Sequence, residues 1–196
     1  MESTNKLKLV LASASPRREE ILKNLNLKFT IVPAKIDESE FTSSDPVEMV
    51  ENLSVKKAEA VASLVEDALV IAADTIVVLG DEILGKPGSQ PAARQMLKQL
   101  SDQEHYVMTG VSVLNSQTGE IETAHEITKV KMMELSQQEI EEYVSTGEPM
   151  DKAGAYAIQG LGALFIEEII GSHYSVVGLP VNQLFKILRK FNYGIL

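Results

Sequence analysis

The hydrophobic positions fall into short runs that switch between two periods. Leu7, Leu9 and Leu11 alternate with Lys6, Lys8 and Val10, roughly the period of two that a strand requires. After a serine-rich turn, Ser15 as N-cap and Pro16 at the first helical position predict a helix whose apolar face holds Ile21, Leu22 and Leu25. Residues 28–36 read as a second strand. Asp45, Pro46 and Glu48 supply an N-cap, a first-turn proline and a capping-box acid for a helix running to about Leu64. Its predicted stripe is Val50, Leu53, Ala60, Val61 and Leu64, and Lys57 falls on it. The β-branched runs 69–73 and 75–79 flank Asp74, and the turn Gly80-Asp81 returns Ile83 and Leu84 as a short strand. Residues 91–100 read as a helix facing inward through Ala93, Met96, Leu97 and Leu100. Strands at 105–114 and 120–133 flank the turn NSQTG, the second with Thr128, Val130 and Met132 on one face. Ser136 and Glu139 form a capping box for a helix through Tyr143 and Val144 that Gly147 closes. A strand at 164–170 and a helix opened by Pro180, with Val181, Leu184, Phe185 and Leu188 inward, complete the chain. Strands alternating with helices, interrupted by one long hairpin, predict an α/β fold with a mixed sheet and flanking helices.

Composition narrows the class. A chain of 196 residues suits one compact domain or two lobes sharing a sheet, and 44% hydrophobic with 23% charged residues is ordinary for a soluble globular protein. No apolar run is long enough to span a bilayer, and the short run at the N-terminus enters a strand–turn–helix unit rather than a signal peptide. The absence of cysteine excludes a disulfide framework and a zinc–thiolate site, and the expected compartment is the cytoplasm. A formal net charge of −10 argues against duplex nucleic acid as a partner. It leaves room for a small anion held by a local cationic cluster.

Several polar residues break the apolar pattern. Arg17 and Arg18 stand in the first turn of a helix, where a cation opposes the macrodipole by up to about 1 kcal/mol. Hydroxyls, free amides and two guanidinium groups there make a phosphate cradle; the plainer alternative is two solvated arginines balanced by Glu19 and Glu20. Asp37, Glu38 and Glu40 are close in a polar loop, which on its own reads as a solvated acidic segment. Lys57 either snorkels to the edge of its helix or points its ammonium into a cleft. Asp74, inside an apolar run, needs a partner: an arginine, a metal ion, or a water to be activated. Lys86 adds a further cation, and Gln159, in a glycine-rich stretch, is either an ordinary loop residue or a reader of a base edge. The histidines at 105, 125 and 173 lack metal-ligand spacing, and neither GxSxG nor GxxxxGK[ST] occurs. If these groups converge, the set offers hard oxygen ligands for Mg²⁺ or Mn²⁺ and a cationic clamp, which suits metal-assisted attack on a phosphate ester or anhydride.

SASPRREEIL, IDE, Lys57, AADTIVV, LGKP, MTGV, GEPMDKAGAYAIQG and VVGLP occur in this order, and as a set they resemble the Maf family of nucleotide pyrophosphatases over nearly the whole chain. The resemblance implies one Maf-like domain over residues 1–196, folded like the inosine triphosphate pyrophosphatases with two lobes around a cleft. It implies hydrolysis of a nucleoside triphosphate to monophosphate and pyrophosphate with a divalent cation. By motif position Asp74 looks like the general base and also a metal ligand, and Glu38 like a metal ligand. Ser13, Arg17, Arg18, Lys57 and Lys86 look like the triphosphate clamp. DKAGAYAIQG is similar to the dTTP/UTP branch rather than the branch acting on methylated guanine nucleotides, and there Arg17, Thr75 and Gln159 match positions tied to substrate choice. The sequence departs from the pattern at Ala157, where glycine is expected, and at Ser175, where many members have asparagine. The family name is also linked to inhibition of septum formation, so a regulator acting through a protein partner is the rival class. A homodimer is the family-level expectation.

Overall fold

The computed structural model describes residues 7–38 and 43–195. Lys6 and Glu40, used in the sequence reading, lie outside the described residues. In chain order the regular elements are β1 (Lys8–Leu11), α1 (Pro16–Asn24), β2 (Phe29–Ile31), α2 (Pro46–Ala62), β3 (Ala68–Leu79), β4 (Glu82–Leu84), α3 (Gln90–Leu100), β5 (Glu104–Asn115), β6 (Ile121–Met132), α4 (Gln137–Ser145), β7 (Ile166–Ile170), α5 (His173–Val177) and α6 (Val181–Lys190). The strands hydrogen-bond in the order β2-β1-β3-β5-β6-β7, with β4 paired to β3. β1 runs parallel to β2 and β3, whereas β4 on β3 and β7 on β6 are antiparallel, so the sheet is mixed as the pattern predicted. No helix among the described residues is long and apolar enough to cross a membrane.

Contacts divide the chain into two compact units. One comprises the described parts of Met1–Asp74, Thr109–Glu126 and Gly178–Leu196, and the other comprises Thr75–Met108 and Ile127–Val177. In the first unit Leu9, Val10 and Leu11 are all buried, so the expected alternation fails. A strand with parallel neighbours on both edges is covered on both faces and reads as a continuous apolar run. β2 is shorter than the predicted 28–36. Only the Val32 amide, bonded to the Leu11 carbonyl, extends the pairing, because Pro33 has no N–H to offer the ladder.

α2 starts as read, with the Asp45 carboxylate accepting from the Val47 and Glu48 amides. The Glu48 carboxylate, however, accepts from the Ser43 hydroxyl rather than closing a capping box. The helix ends at Ala62, so Leu64 lies beyond it and is 71% exposed. The buried stripe takes Ser54 and Ala58 in place of Ala60 and Leu64. Ser54 is tolerated inside because its hydroxyl pairs with Ser112 at 2.7 Å and reaches the Glu51 carbonyl. On α6, Leu184, Ile187 and Leu188 are buried, while the expected Val181 and Phe185 are half-buried.

The second unit packs Leu97, Leu100, Val107, Val130, Met132, Tyr143, Tyr156 and Phe165 into one apolar cluster. Thr128, Val130 and Met132 share the buried face predicted for β6. The Ser136–Glu139 capping box forms at the start of α4 as read. Residues Leu161–Phe165 make a 3-10 turn, which moves the start of the last strand from 164 to Ile166. The short helix α5 carries no sequence signal of its own. Within it Ser175 is fully buried, its amide donating to the Ser172 carbonyl.

Candidate active site

The first unit gathers most of the polar residues singled out by the sequence. β1 ends at Leu11, and the turn into α1 presents Ser13. Its hydroxyl accepts from the Ser15 amide and from Arg18 Nη1, both at 3.2 Å. Ser15 occupies the N-cap position with extended backbone, but its side chain makes no cap hydrogen bond. Ser13 is therefore the hydroxyl that organises this turn, and the N-cap reading of Ser15 holds for backbone only. Glu19, expected to balance the arginines, instead pairs with Lys23 one turn on, at 2.5 Å.

Arg18 is anchored from the other side by its Nε, which donates to the Gly178 carbonyl at 2.7 Å. Burial lowers the Arg18 pKa from the ordinary arginine value; Asp74 opposes that shift, Arg17 adds to it, and Glu38 opposes it. Asp74, Arg17 and Glu38 therefore all lie within electrostatic reach of Arg18. Two of them, Glu38 and Asp74, meet on Lys57: its Nζ lies 2.6 Å from Glu38 Oε1 and 2.6 Å from Asp74 Oδ1. Lys57 is 8% and Asp74 7% exposed, while the Glu38 side chain is about half exposed. The Lys57 ammonium is thus buried against two carboxylates and does not snorkel to solvent.

This arrangement resolves the Asp74 problem physically. A carboxylate in the middle of a twelve-residue apolar strand is held by a buried ammonium rather than left unpaired. The pair of carboxylates offers hard oxygen donors of the kind that bind Mg²⁺ or Mn²⁺, which characteristically take one or two carboxylates and fill their shell with water and phosphate oxygens. Among the described residues no group of three or more His, Cys, Asp or Glu is placed to hold a metal by itself. The two carboxylates fit a hard divalent ion shared with a phosphate ligand.

Thr75, Lys86 and Gln159 belong to the second unit. Thr75 follows Asp74 on β3 and is half-buried. Lys86 is exposed after β4. The neighbouring Gly85 carbonyl accepts from the Gly154 amide at 3.1 Å, which ties the LGKP segment to the glycine-rich stretch. Gln159 is half-buried in that stretch. The Gly178 carbonyl is a functional partner that sequence does not single out: a main-chain acceptor has no residue-type signature, and only the glycine inside VVGLP marks the place.

Hydroxyls, guanidinium groups and an ammonium set against two carboxylates, on an α/β scaffold, give this chain the chemical parts of a phosphate-handling protein. The chain belongs to the family described as Maf-like protein, whose model matches residues 8–191. It is 50% identical over 188 residues to the dTTP/UTP pyrophosphatase of Pelotomaculum thermopropionicum, covering 96% of this chain and 98% of that one. It is 49% identical over 186 residues to the dTTP/UTP pyrophosphatase of Halalkalibacterium halodurans, covering 95% and 97%. A crystal structure of a nucleoside-triphosphatase / dITP/XTP pyrophosphatase from Mycobacterium abscessus aligns over 95% of this chain and 94% of that chain, with 11% identity and a TM-score of 0.43.

Proposed function

We propose that this protein hydrolyses the α–β phosphoanhydride of nucleoside triphosphates, dTTP and UTP above others, to the monophosphate and pyrophosphate. The observation that carries the reading is the meeting of Glu38 and Asp74 on Lys57 within the field of Arg18, in a chain about half identical to relatives named for that activity. In this reading Asp74 accepts the proton of the attacking water. The water oxygen bonds to the α-phosphorus as the bond to the α–β bridging oxygen breaks, and pyrophosphate leaves with that oxygen. Ser13, Arg17, Arg18, Lys57 and Lys86 hold the phosphate oxygens and offset the charge that develops on the leaving group. Lys57 has a second task, keeping the Asp74 carboxylate oriented through its 2.6 Å contact. Thr75 and Gln159 contact the nucleoside and contribute to the choice of base.

Glu38 and Asp74 are the residues that would hold a divalent cation. When bound, such an ion supplies Lewis-acid stabilisation of phosphate charge and favours ionisation of water. We place the activity in the cytoplasm and assign it to the chain as a single functional domain.

The test is product analysis on a panel of nucleoside triphosphates, with Mg²⁺ or Mn²⁺ and with chelator. The expected result is metal-dependent release of pyrophosphate and monophosphate, fastest from dTTP and UTP. Release of orthophosphate and a diphosphate would place attack at the γ-phosphorus and refute the mechanism. Fastest turnover of a methylated guanine nucleotide would refute the substrate assignment.

A further inference from the structure

The functional reading gives no task to Glu148, yet this residue is the hub of the segment that carries Gln159. Glu148 opens a 3-10 turn, Glu148–Asp151, directly after α4. Its Oε1 accepts from the Tyr143 hydroxyl at 2.9 Å and from the Gly162 amide at 3.0 Å, and its Oε2 accepts from the Leu161 amide at 3.1 Å. The Tyr143 oxygen in turn accepts from the Ala157 amide at 3.2 Å. Lys152 closes the turn from below, donating to the Glu148 carbonyl at 2.7 Å and to Asp151 at 2.6 Å.

The consequence is a clamp at both ends of one short span. Tyr143 holds residue 157, Glu148 holds residues 161 and 162, and Gln159 sits between them. Two glycines make the close approach feasible. Gly160 has φ of +86°, and a Cβ there would lie 2.6 Å from Glu148 Oε2. A Cβ on Gly162 would lie 2.4 Å from the Ala157 carbonyl oxygen and 2.6 Å from the Tyr143 hydroxyl. Although burial pushes the other way, the Gly162 and Leu161 amides, the Tyr143 hydroxyl and Lys152 together hold the Glu148 carboxyl below the usual carboxylate range. Charge-assisted bonds of this kind fix geometry better than neutral ones.

We propose that Glu148 is a specificity-determining positioning residue: by gripping the Leu161 and Gly162 amides, and Ala157 through Tyr143, it sets the orientation in which the Gln159 amide meets the edge of the base. This rests on the reading of Gln159 as a contact to the base. A clamp that served stability alone would be indifferent to which nucleotide is bound, and that separates the two roles.

The experiment measures kcat/KM for dTTP and for dCTP in the wild type, Glu148→Gln, Tyr143→Phe, Gln159→Ala and the double variant Glu148→Gln/Gln159→Ala. Thymine also carries a 5-methyl that cytosine lacks, so dUTP is measured beside them. dUTP and dCTP match in size and differ only at the hydrogen-bonding edge, and the dTTP/dCTP and dUTP/dCTP ratios fall together when orientation rather than volume is at stake. Glutamine puts an NH2 group in place of one of the two carboxylate oxygens, and in that position it cannot accept from the backbone amide that faces it. The dTTP/dCTP ratio is expected to fall about tenfold, the effect of losing one charge-assisted hydrogen bond. Competitive inhibition by inorganic tripolyphosphate should not change, since the phosphate contacts are untouched. Tyr143→Phe, which keeps the ring packing, should lower the ratio in the same direction, and it serves as the second probe if Glu148→Gln does not fold. The double variant should fall no further than Gln159→Ala alone, because both act through one contact. An unchanged ratio in Glu148→Gln or in Tyr143→Phe, alongside a lowered ratio in Gln159→Ala, overturns the role of Glu148. An unchanged ratio in Gln159→Ala overturns the base-contact reading itself.

Discussion

Acidification offers a quantitative check on how the second unit is held together. His105 on β5 is fully buried, its Nε2 lying 2.7 Å from the Tyr156 hydroxyl with the rings edge to face. Its Nδ1 is buried without a hydrogen-bond partner. Burial pushes the imidazole down to about 4 from an ordinary 6.5, with the Gln103 main chain opposing. The unfolded chain therefore binds a proton between those values that the folded protein refuses. Stability rises with pH wherever the unfolded state binds more protons, so this contribution is present above pH 6.5 and is lost as pH falls toward 4. The full displacement corresponds to about 3 kcal/mol, of which about 2 kcal/mol is lost between pH 7 and pH 5. For a chain of this size that is a fall in Tm of roughly 4–8 °C. The assay is thermal unfolding at pH 7 and pH 5 for the wild type and for His105→Gln, whose amide can still reach Tyr156 but does not titrate. Carboxylates held low in the fold, such as Glu139 and Glu148, respond only in a more acidic range. The wild type should lose stability across this window and the variant should lose less by about 2 kcal/mol. Parallel losses in the two proteins would refute the assignment.

The features legible in the sequence were those fixed by local chemistry. The Ser136–Glu139 box, the Asp45-Pro46 start, the Gly80-Asp81 turn and the inward face of β6 all depend on neighbours within a few residues, and all are present. What failed depends on partners far along the chain. The alternation read into β1 presumed one wet face, but parallel neighbours at both edges cover it. Asp74 stood out because burial of an unpaired carboxylate is costly, yet no local rule says which of eighteen cations would answer it. Lys57, seventeen residues earlier on a helix, is found only when α2 and β3 are packed. Arg18 behaves likewise, since its anchor is a carbonyl 160 residues away. Glu148 lies inside the motif GEPMDKAGAYAIQG but carries no role of its own there, because its three partners become visible only in space.

Further outcomes follow from the same contacts. Asp74→Asn should keep nucleotide affinity and lose turnover by about 10²–10⁴-fold, the usual worth of a general base; unchanged turnover would remove Asp74 from that role. Gln159→Ala should shift the preference among bases while leaving tripolyphosphate inhibition alone, and an equal loss for every nucleotide would count against it. Lys57→Met removes the ammonium that holds the buried Asp74 carboxylate, so chemical denaturation should show a loss of about 3 kcal/mol; a stable variant would mean that Arg18 already suffices. The last concerns Ala157, where the family pattern has glycine. A glycine requirement would show as positive φ or as no room for a methyl. Neither holds, because the non-glycine residue with positive φ in this stretch is Ala155, at 58°, and the Ala157 methyl sits buried in the packed loop. The clamp uses the amide of residue 157 and is blind to its side chain. Ala157→Gly should therefore cost about 1–2 kcal/mol, through greater freedom of the unfolded chain and a lost buried methyl, and leave the dTTP/dCTP ratio where it is. A changed ratio with unchanged stability would show that the methyl itself shapes the base contact, and that main-chain anchoring alone does not determine where Gln159 points.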